Sequence, residues 1–201
     1  LSIMTESPPV KVLSLESDQS IRSSIRALFE GLSDMTLSAE AETVEQARFI
    51  LERGEVDLIL IDLAEPDSIA FITEIRTRFK TVKVAVVTAS DEPGDIFSAM
   101  DAGADAYVLK ANLNESLENA IRCARLLQVW LDPGLARQVL QVIESSTTSK
   151  GSRVLPTGLM ILPLLPEDKS LLEQVASNEQ CEGGVCMVDA SFLKKLRRYG
   201  P

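Results

Sequence analysis

The chain has 201 residues, 45% of them hydrophobic and 25% charged, proportions of a globular protein that can form one good-sized domain or two small ones. It contains no histidine, which excludes Ser-His or Cys-His catalysis, a His-containing zinc site and a role as phosphohistidine donor. Its three cysteines, Cys123, Cys181 and Cys186, lack framework spacing, and no apolar stretch suits a bilayer span or a secretory leader. A cytoplasmic protein with no membrane association is expected.

The net charge of −10 is unevenly spread. Residues 146–201 hold 7 basic and 6 acidic side chains, leaving 13 basic and 24 acidic to residues 1–145. An acidic N-terminal unit followed by a near-neutral one with a basic end argues for two domains.

Residues 1–9 are a polar, Pro-containing lead-in. Residues 10–15 read as a strand ending in Glu16-Ser17-Asp18, and Asp18 or Ser20 can cap a helix carrying Ile21, Ile25, Leu28 and Phe29. A weak alternating strand at 36–41 precedes a helix at 44–53, which Gly54 stops. The run Leu58-Ile59-Leu60-Ile61 has no alternation, as in a strand covered on both faces, and it ends in Asp62 with Pro66 breaking the chain four residues on. Taken alone, Asp62 suits a cap of the following turn as well as a reactive carboxylate. A helix over 68–79, a buried strand over 82–88, a short helix over 96–102 ended by Gly103 and a strand over 106–110 follow. Asn112 with Glu115 has the form of a capping box before a helix carrying Leu117, Ile121 and Leu127.

Five strands alternating with five helices predict an α/β fold, a doubly wound five-stranded parallel sheet, because each parallel pair needs a crossover. In such sheets chemistry sits beyond the carboxyl ends of the strands. There the sequence places Glu16 on the first strand, Asp62 on the third, Thr88 on the fourth and Lys110 on the fifth. A carboxylate nucleophile, an acidic metal ligand, a hydroxyl and an ammonium group form a coherent set for phosphoryl transfer.

Over roughly residues 10–130 these features resemble the receiver domain of two-component response regulators, a flavodoxin-like fold. The resemblance implies that Asp62 is the phospho-acceptor, with Pro66 at the family's position four residues on. It implies that Thr88, followed by Ala89, is the hydroxyl switch residue, Tyr107 the aromatic switch and Lys110 the family lysine. Magnesium is the implied cofactor, held by Glu16 and Asp62, and a sensor histidine kinase the implied partner. Two departures stand out. The family places two adjacent acids after the first strand, whereas here Ser17 follows Glu16; and Glu65 stands where a large apolar residue is common. Loss of a metal carboxylate predicts weak magnesium binding, and with it impaired or phosphorylation-independent switching.

Residues 129–136 resemble the linker-helix start of NarL/FixJ-type regulators, which carry a C-terminal DNA-binding helix-turn-helix. A helix is expected over 132–144, a Ser/Thr/Gly-rich linker over 145–157, and a small all-α, divergent or truncated helix-turn-helix-like domain over 158–201. Residues 164–176 resemble its first helix, and Val188-Asp189-Ala190-Ser191 could cap a last helix at 192–199. That helix carries Lys194, Lys195, Arg197 and Arg198 and no acid, which suits phosphate contacts with DNA or simply a solvated basic end. Leu113, Leu117, Ile121 and Leu127 give the fifth helix more apolar surface than one core contact needs, so a homodimer is expected. The chain is therefore expected to be a response regulator with a DNA-binding output and not an enzyme, since no Gly-rich phosphate loop or base is visible. The alternative is a pseudo-receiver serving as a protein-protein interaction switch without DNA binding.

Overall fold

The computed structural model describes residues 8–90, 92–126 and 128–132, together with 134, 135, 137, 153–154, 160–161, 170, 173 and 187–189. Strands and helices alternate through the first 125 residues: β1 Val10–Leu15, α1 Gln19–Phe29, β2 Met35–Ala41, α2 Val44–Arg53, β3 Leu58–Asp62, α3 Ser68–Arg78, β4 Lys83–Thr88, α4 Pro93–Ala102, β5 Ala106–Leu109 and α5 Leu113–Arg125. A single 3-10 turn, Lys110–Asn112, joins β5 to α5. The five strands are parallel in the order β2-β1-β3-β4-β5. The order reverses between β1 and β3, which opens the crevice used for binding in such sheets.

Period-two alternation divides the apolar side chains of the strands between two cores. Leu13, Leu15, Ile59, Ile61, Val84, Val86 and Tyr107 pack with α2, α3 and α4 on one face. Val12, Leu58, Leu60, Ala85, Val87 and Val108 pack with α1 and α5 on the other. Every residue of β3 is buried, as its unbroken apolar run requires.

Several local features differ from the sequence expectations. Residues 128–131 form a sixth strand, β6 Gln128–Leu131, parallel to β5 with Ala106 opposite Trp130, and not the start of a linker helix. The boundary expected between residues 130 and 131 falls inside this strand. The run Val129-Trp130-Leu131 is β-branched and aromatic, and both Trp130 and Leu131 are buried against the sheet. Two short strands follow, β7 Arg153–Val154 and β8 Met160–Ile161, paired antiparallel. Then β9 Met187–Asp189 pairs antiparallel with β6, where the sequence suggested a helix cap.

Asn112 makes no side-chain cap to α5, so the expected capping box is not formed. Its amide instead donates to both oxygens of Asp132, at 3.0 and 3.2 Å. Leu113, Leu117 and Ile121, three of the four residues behind the homodimer expectation, are buried in the core. The large exposed apolar side chains among the described residues are Phe49 and Leu126. Leu127, most of the helices expected over 132–144 and 164–176, and residues 192–201 with Lys194, Lys195, Arg197 and Arg198 lie outside the described residues. Among the described residues no helix is long and apolar enough to cross a membrane.

Candidate functional site

Glu16 follows β1 directly and is buried. Its backbone N–H donates to the Ala41 carbonyl at 3.0 Å, which extends the β1–β2 pairing and fixes where the side chain starts. Glu16 Oε1 accepts from the Asp18 N–H at 2.9 Å, leaving Oε2 directed at the ends of the neighbouring strands. Asp18 itself turns away to cap α1, accepting from the N–H groups of Ser20 and Ile21 at 2.7 and 3.1 Å. Those backbone donors hold its carboxyl below the ordinary range.

Asp62 ends β3 and is buried beside Glu16. One oxygen accepts from the Ala64 N–H at 3.1 Å, and the other is 2.7 Å from the Lys110 ammonium. Lys110 Nζ is also 2.7 Å from Glu16 Oε2, so one cation bridges the first and third strands. Burial alone would lower the Lys110 pKa, but the two carboxylates outweigh it and raise it. The ammonium group stays charged in the site.

Thr88 ends β4 at the same edge, with its neighbour Val87 paired opposite Asp62. Its hydroxyl accepts from the Ser90 N–H at 3.0 Å, which tethers the β4–α4 loop. Tyr107 is buried, and its hydroxyl donates to the Ala104 carbonyl at 3.1 Å, so its ring lies within the core. The structure thus brings Glu16, Asp62 and Lys110 into direct contact. Thr88 stands at the same edge, and Tyr107 lies two strand positions before it in the β4–β5 register.

The residue that sequence reasoning misplaced is Glu65. It is only 8% exposed, and its Oε1 accepts from the backbone N–H of Ser17 at 3.0 Å. The carboxylate therefore crosses from the β3–α3 loop to the gap that Ser17 leaves beside Glu16. The loop is shaped for this. Ser68 N–H donates to the Glu65 carbonyl at 3.2 Å, Pro66 takes the second position of the turn, and Asp67 the third with φ of 61°. That is type II geometry, in which proline is favoured second and positive φ is required third. Asp62, Glu16 and Glu65 each present an oxygen within 4.8 Å of the others. In the sequence, the signal was the pairing of the two departures: an acid missing at residue 17 and an unexpected one at 65.

The donor set consists only of oxygens, which suits a hard divalent cation. Glu16 Oε2 is shielded from solvent, and its partner among the described residues is the Lys110 ammonium at 2.7 Å. The residues present therefore fit magnesium, with three acids where the sequence led us to expect two.

A family model for the response regulator receiver domain matches residues 12–122. The chain is 26% identical over 170 residues to the nitrate/nitrite response regulator protein NarL of Escherichia coli K12, spanning 82% of this chain and 78% of that protein. It is 39% identical over 101 residues to the KDP operon transcriptional regulatory protein KdpE of the same organism, covering 49% of this chain and 44% of that one. Among solved structures, a LuxR family DNA-binding response regulator from Silicibacter pomeroyi is 29% identical with a TM-score of 0.53, covering 61% of this chain and 96% of that one. The RcsB response regulator of Salmonella typhimurium, at 15% identity, shares the fold with a TM-score of 0.66 over 94% of this chain and 99% of that one.

Proposed function

Since the chain belongs to the response regulator receiver domain family, we propose that Asp62 is its phosphoryl acceptor and that a sensor histidine kinase is the donor. The observation that carries this reading is the Lys110 ammonium held 2.7 Å from both Glu16 and Asp62 in a buried pocket at the strand ends. One Asp62 oxygen forms the bond to phosphorus as the donor's bond to phosphorus breaks, the leaving group keeping that electron pair. Lys110 is close enough to follow the charge from the carboxylate onto the phosphoryl oxygens. Thr88 is one strand position beyond Asp62's partner, where a short rotation of its side chain would let it hydrogen-bond a phosphoryl oxygen. That movement releases the Ser90 N–H and with it the β4–α4 loop, and Tyr107, packed against α4, is the residue we assign to relay the change. A magnesium ion at Glu16 and Asp62 would supply further neutralisation of the phosphoryl charge.

The test is incubation with acetyl phosphate in magnesium, followed by intact mass. Wild type should gain one phosphoryl group, and Asp62→Asn none. Labelling that persists in Asp62→Asn would refute the assignment.

The output proposed is DNA binding and transcription regulation in the cytoplasm. Support comes from the alignment with NarL over 82% of this chain and from four basic side chains, Lys194, Lys195, Arg197 and Arg198, within five residues. Affinity for duplex DNA should fall steeply with salt, because each neutralised phosphate releases counterions. Replacing the four by alanine should abolish it. A wild type that binds no DNA at low salt would instead favour the protein-interaction reading.

A further inference from the structure

We propose that Glu65 is the carboxylate that completes the divalent-cation site, in place of the first-strand acid that Ser17 removed. The inference rests on the receiver reading above but concerns a residue that the family pattern does not use for metal. Three observations converge on it. Glu65 is more than nine-tenths buried, although glutamate at a loop position is ordinarily solvated. One of its oxygens takes the Ser17 N–H, and none of the ion pairs among the described residues involves it. Its other oxygen is left for a ligand.

The second observation is charge. Glu16, Asp62 and Glu65 bring three carboxylates to one pocket, and Lys110 is the one cation within ion-pair distance of any of them among the described residues. Buried carboxylates persist when they are paired or coordinate a metal; Glu16 and Asp62 share the single Lys110 ammonium, and Glu65 has no ion-pair partner among the described residues. The third is spacing. Oxygens within 4.8 Å of one another can surround a single ion, since opposed ligands lie about 4.2 Å apart around magnesium and about 4.6–5.2 Å around calcium.

Size complementarity links the two positions. Serine at 17 is short and leaves its N–H uncovered, and glutamate at 65 has the two methylenes needed to reach it from the opposite loop. An aspartate at 17 together with Glu65 would crowd a fourth carboxylate into the same pocket. Ser17→Asp alone should therefore not improve the site, whereas moving the acid, by Ser17→Asp with Glu65→Gln, should.

Manganese is the probe, titrated into the full chain and followed by loss of the free-ion electron paramagnetic resonance signal. Circular dichroism melts confirm that each variant is folded. Glu65→Gln, which can still accept from the Ser17 N–H, should bind manganese about ten-fold or more weakly. Glu65→Asp, which keeps the charge but loses reach, should also weaken it. The Ser17→Asp/Glu65→Gln double variant should recover binding to within about three-fold of wild type, a difference under 1 kcal/mol. The inference is overturned if Glu65→Gln binds as wild type does, if Ser17→Asp alone tightens binding ten-fold, or if wild type binds no manganese at millimolar concentration. The last outcome with Asp62 still labelled by acetyl phosphate would leave the receiver function standing. Glu65-dependent binding without labelling would do the reverse.

Discussion

Cys123 shows how position decides the chemistry of a side chain. It lies on the inner face of α5, 1% exposed, among Leu117, Ile121 and the strands. Burial pushes its thiol up to about 11, because the thiolate would be stranded in an apolar core. At neutral pH it behaves as a small apolar group. Iodoacetamide at about pH 8 should leave it unmodified in the folded protein and modify it in urea, a contrast read by peptide mass. Rapid native-state labelling of Cys123 would show that α5 opens. Asp132 is the polar counterpart: a carboxyl group with 0% exposure and, among the described residues, no ion-pair partner. Its charge is spread over the Asn112 amide, the Ser116 hydroxyl at 3.3 Å and the Gly134 N–H at 2.9 Å. Neither Asp132 nor Glu65 was legible as a buried acid in the sequence. Their partners stand 20 and 48 residues away, whereas local patterns reach only a turn or two.

Among the elements, α2 begins and ends where its sequence punctuation placed it, Thr43 capping through Gln46 N–H and Gly54 closing on the Ile50 carbonyl. The strands of the central sheet were equally legible, because a buried parallel strand leaves an unbroken apolar run. The sixth strand was not, since a three-residue apolar run following a helix reads equally well as that helix's continuation. Its packing makes a clear expectation. Trp130 is 2% exposed, and its backbone N–H donates to the Asp105 carbonyl, as that of Asp132 does to Tyr107 at 3.0 Å. Trp130→Ala should destabilise the fold by about 3–5 kcal/mol and speed hydrogen exchange in β5 as well as β6. Unchanged exchange in β5 would mean that the sixth strand is not integral to the sheet.

A second expectation concerns α2 and α3, which Glu74 of α3 ties together through Arg48 of α2 at 2.9 Å, while Arg78 pairs with Glu74 one turn on within α3. The Arg48 guanidinium holds the Glu74 carboxyl below its usual range, against the opposing effect of burial, and Arg78 adds to this. A carboxylate with a lowered folded pKa contributes stability above its unfolded value of about 4.3, and that contribution is lost as pH falls through the folded value. The pair is partly exposed, so the effect is about 1 kcal/mol or less. Urea midpoints of wild type and Glu74→Gln should differ at about pH 6, and the gap should shrink as pH falls below about 4. A gap that stays constant over that range would show that packing, not charge, is responsible.

At the scale of the whole molecule, the strand-end pocket sets function against stability. Asp62 is repelled by Glu16 and Glu65 at no more than 4.8 Å, roughly 3.5 kcal/mol or more each at an effective dielectric of ~20. It is attracted by Lys110 at 2.7 Å, roughly 6 kcal/mol on the same scale. These nearly cancel, so the desolvation of a third buried carboxylate decides the sign, and it disfavours the folded state. Asp62→Asn keeps the shape and removes the charge. It should therefore raise the melting temperature without added metal, by an amount on the order of 1 kcal/mol at the midpoint. Magnesium should act in the opposite sense on the comparison. By binding the folded form it should stabilise wild type by about 1.4 kcal/mol at ten times its dissociation constant, while the variant responds less. Thermal melts of both proteins across a magnesium series should converge and then cross. If Asp62→Asn melts below wild type without metal, the Lys110 attraction outweighs the rest, and the pocket is a stabilising ion pair whose charge needs no further cation.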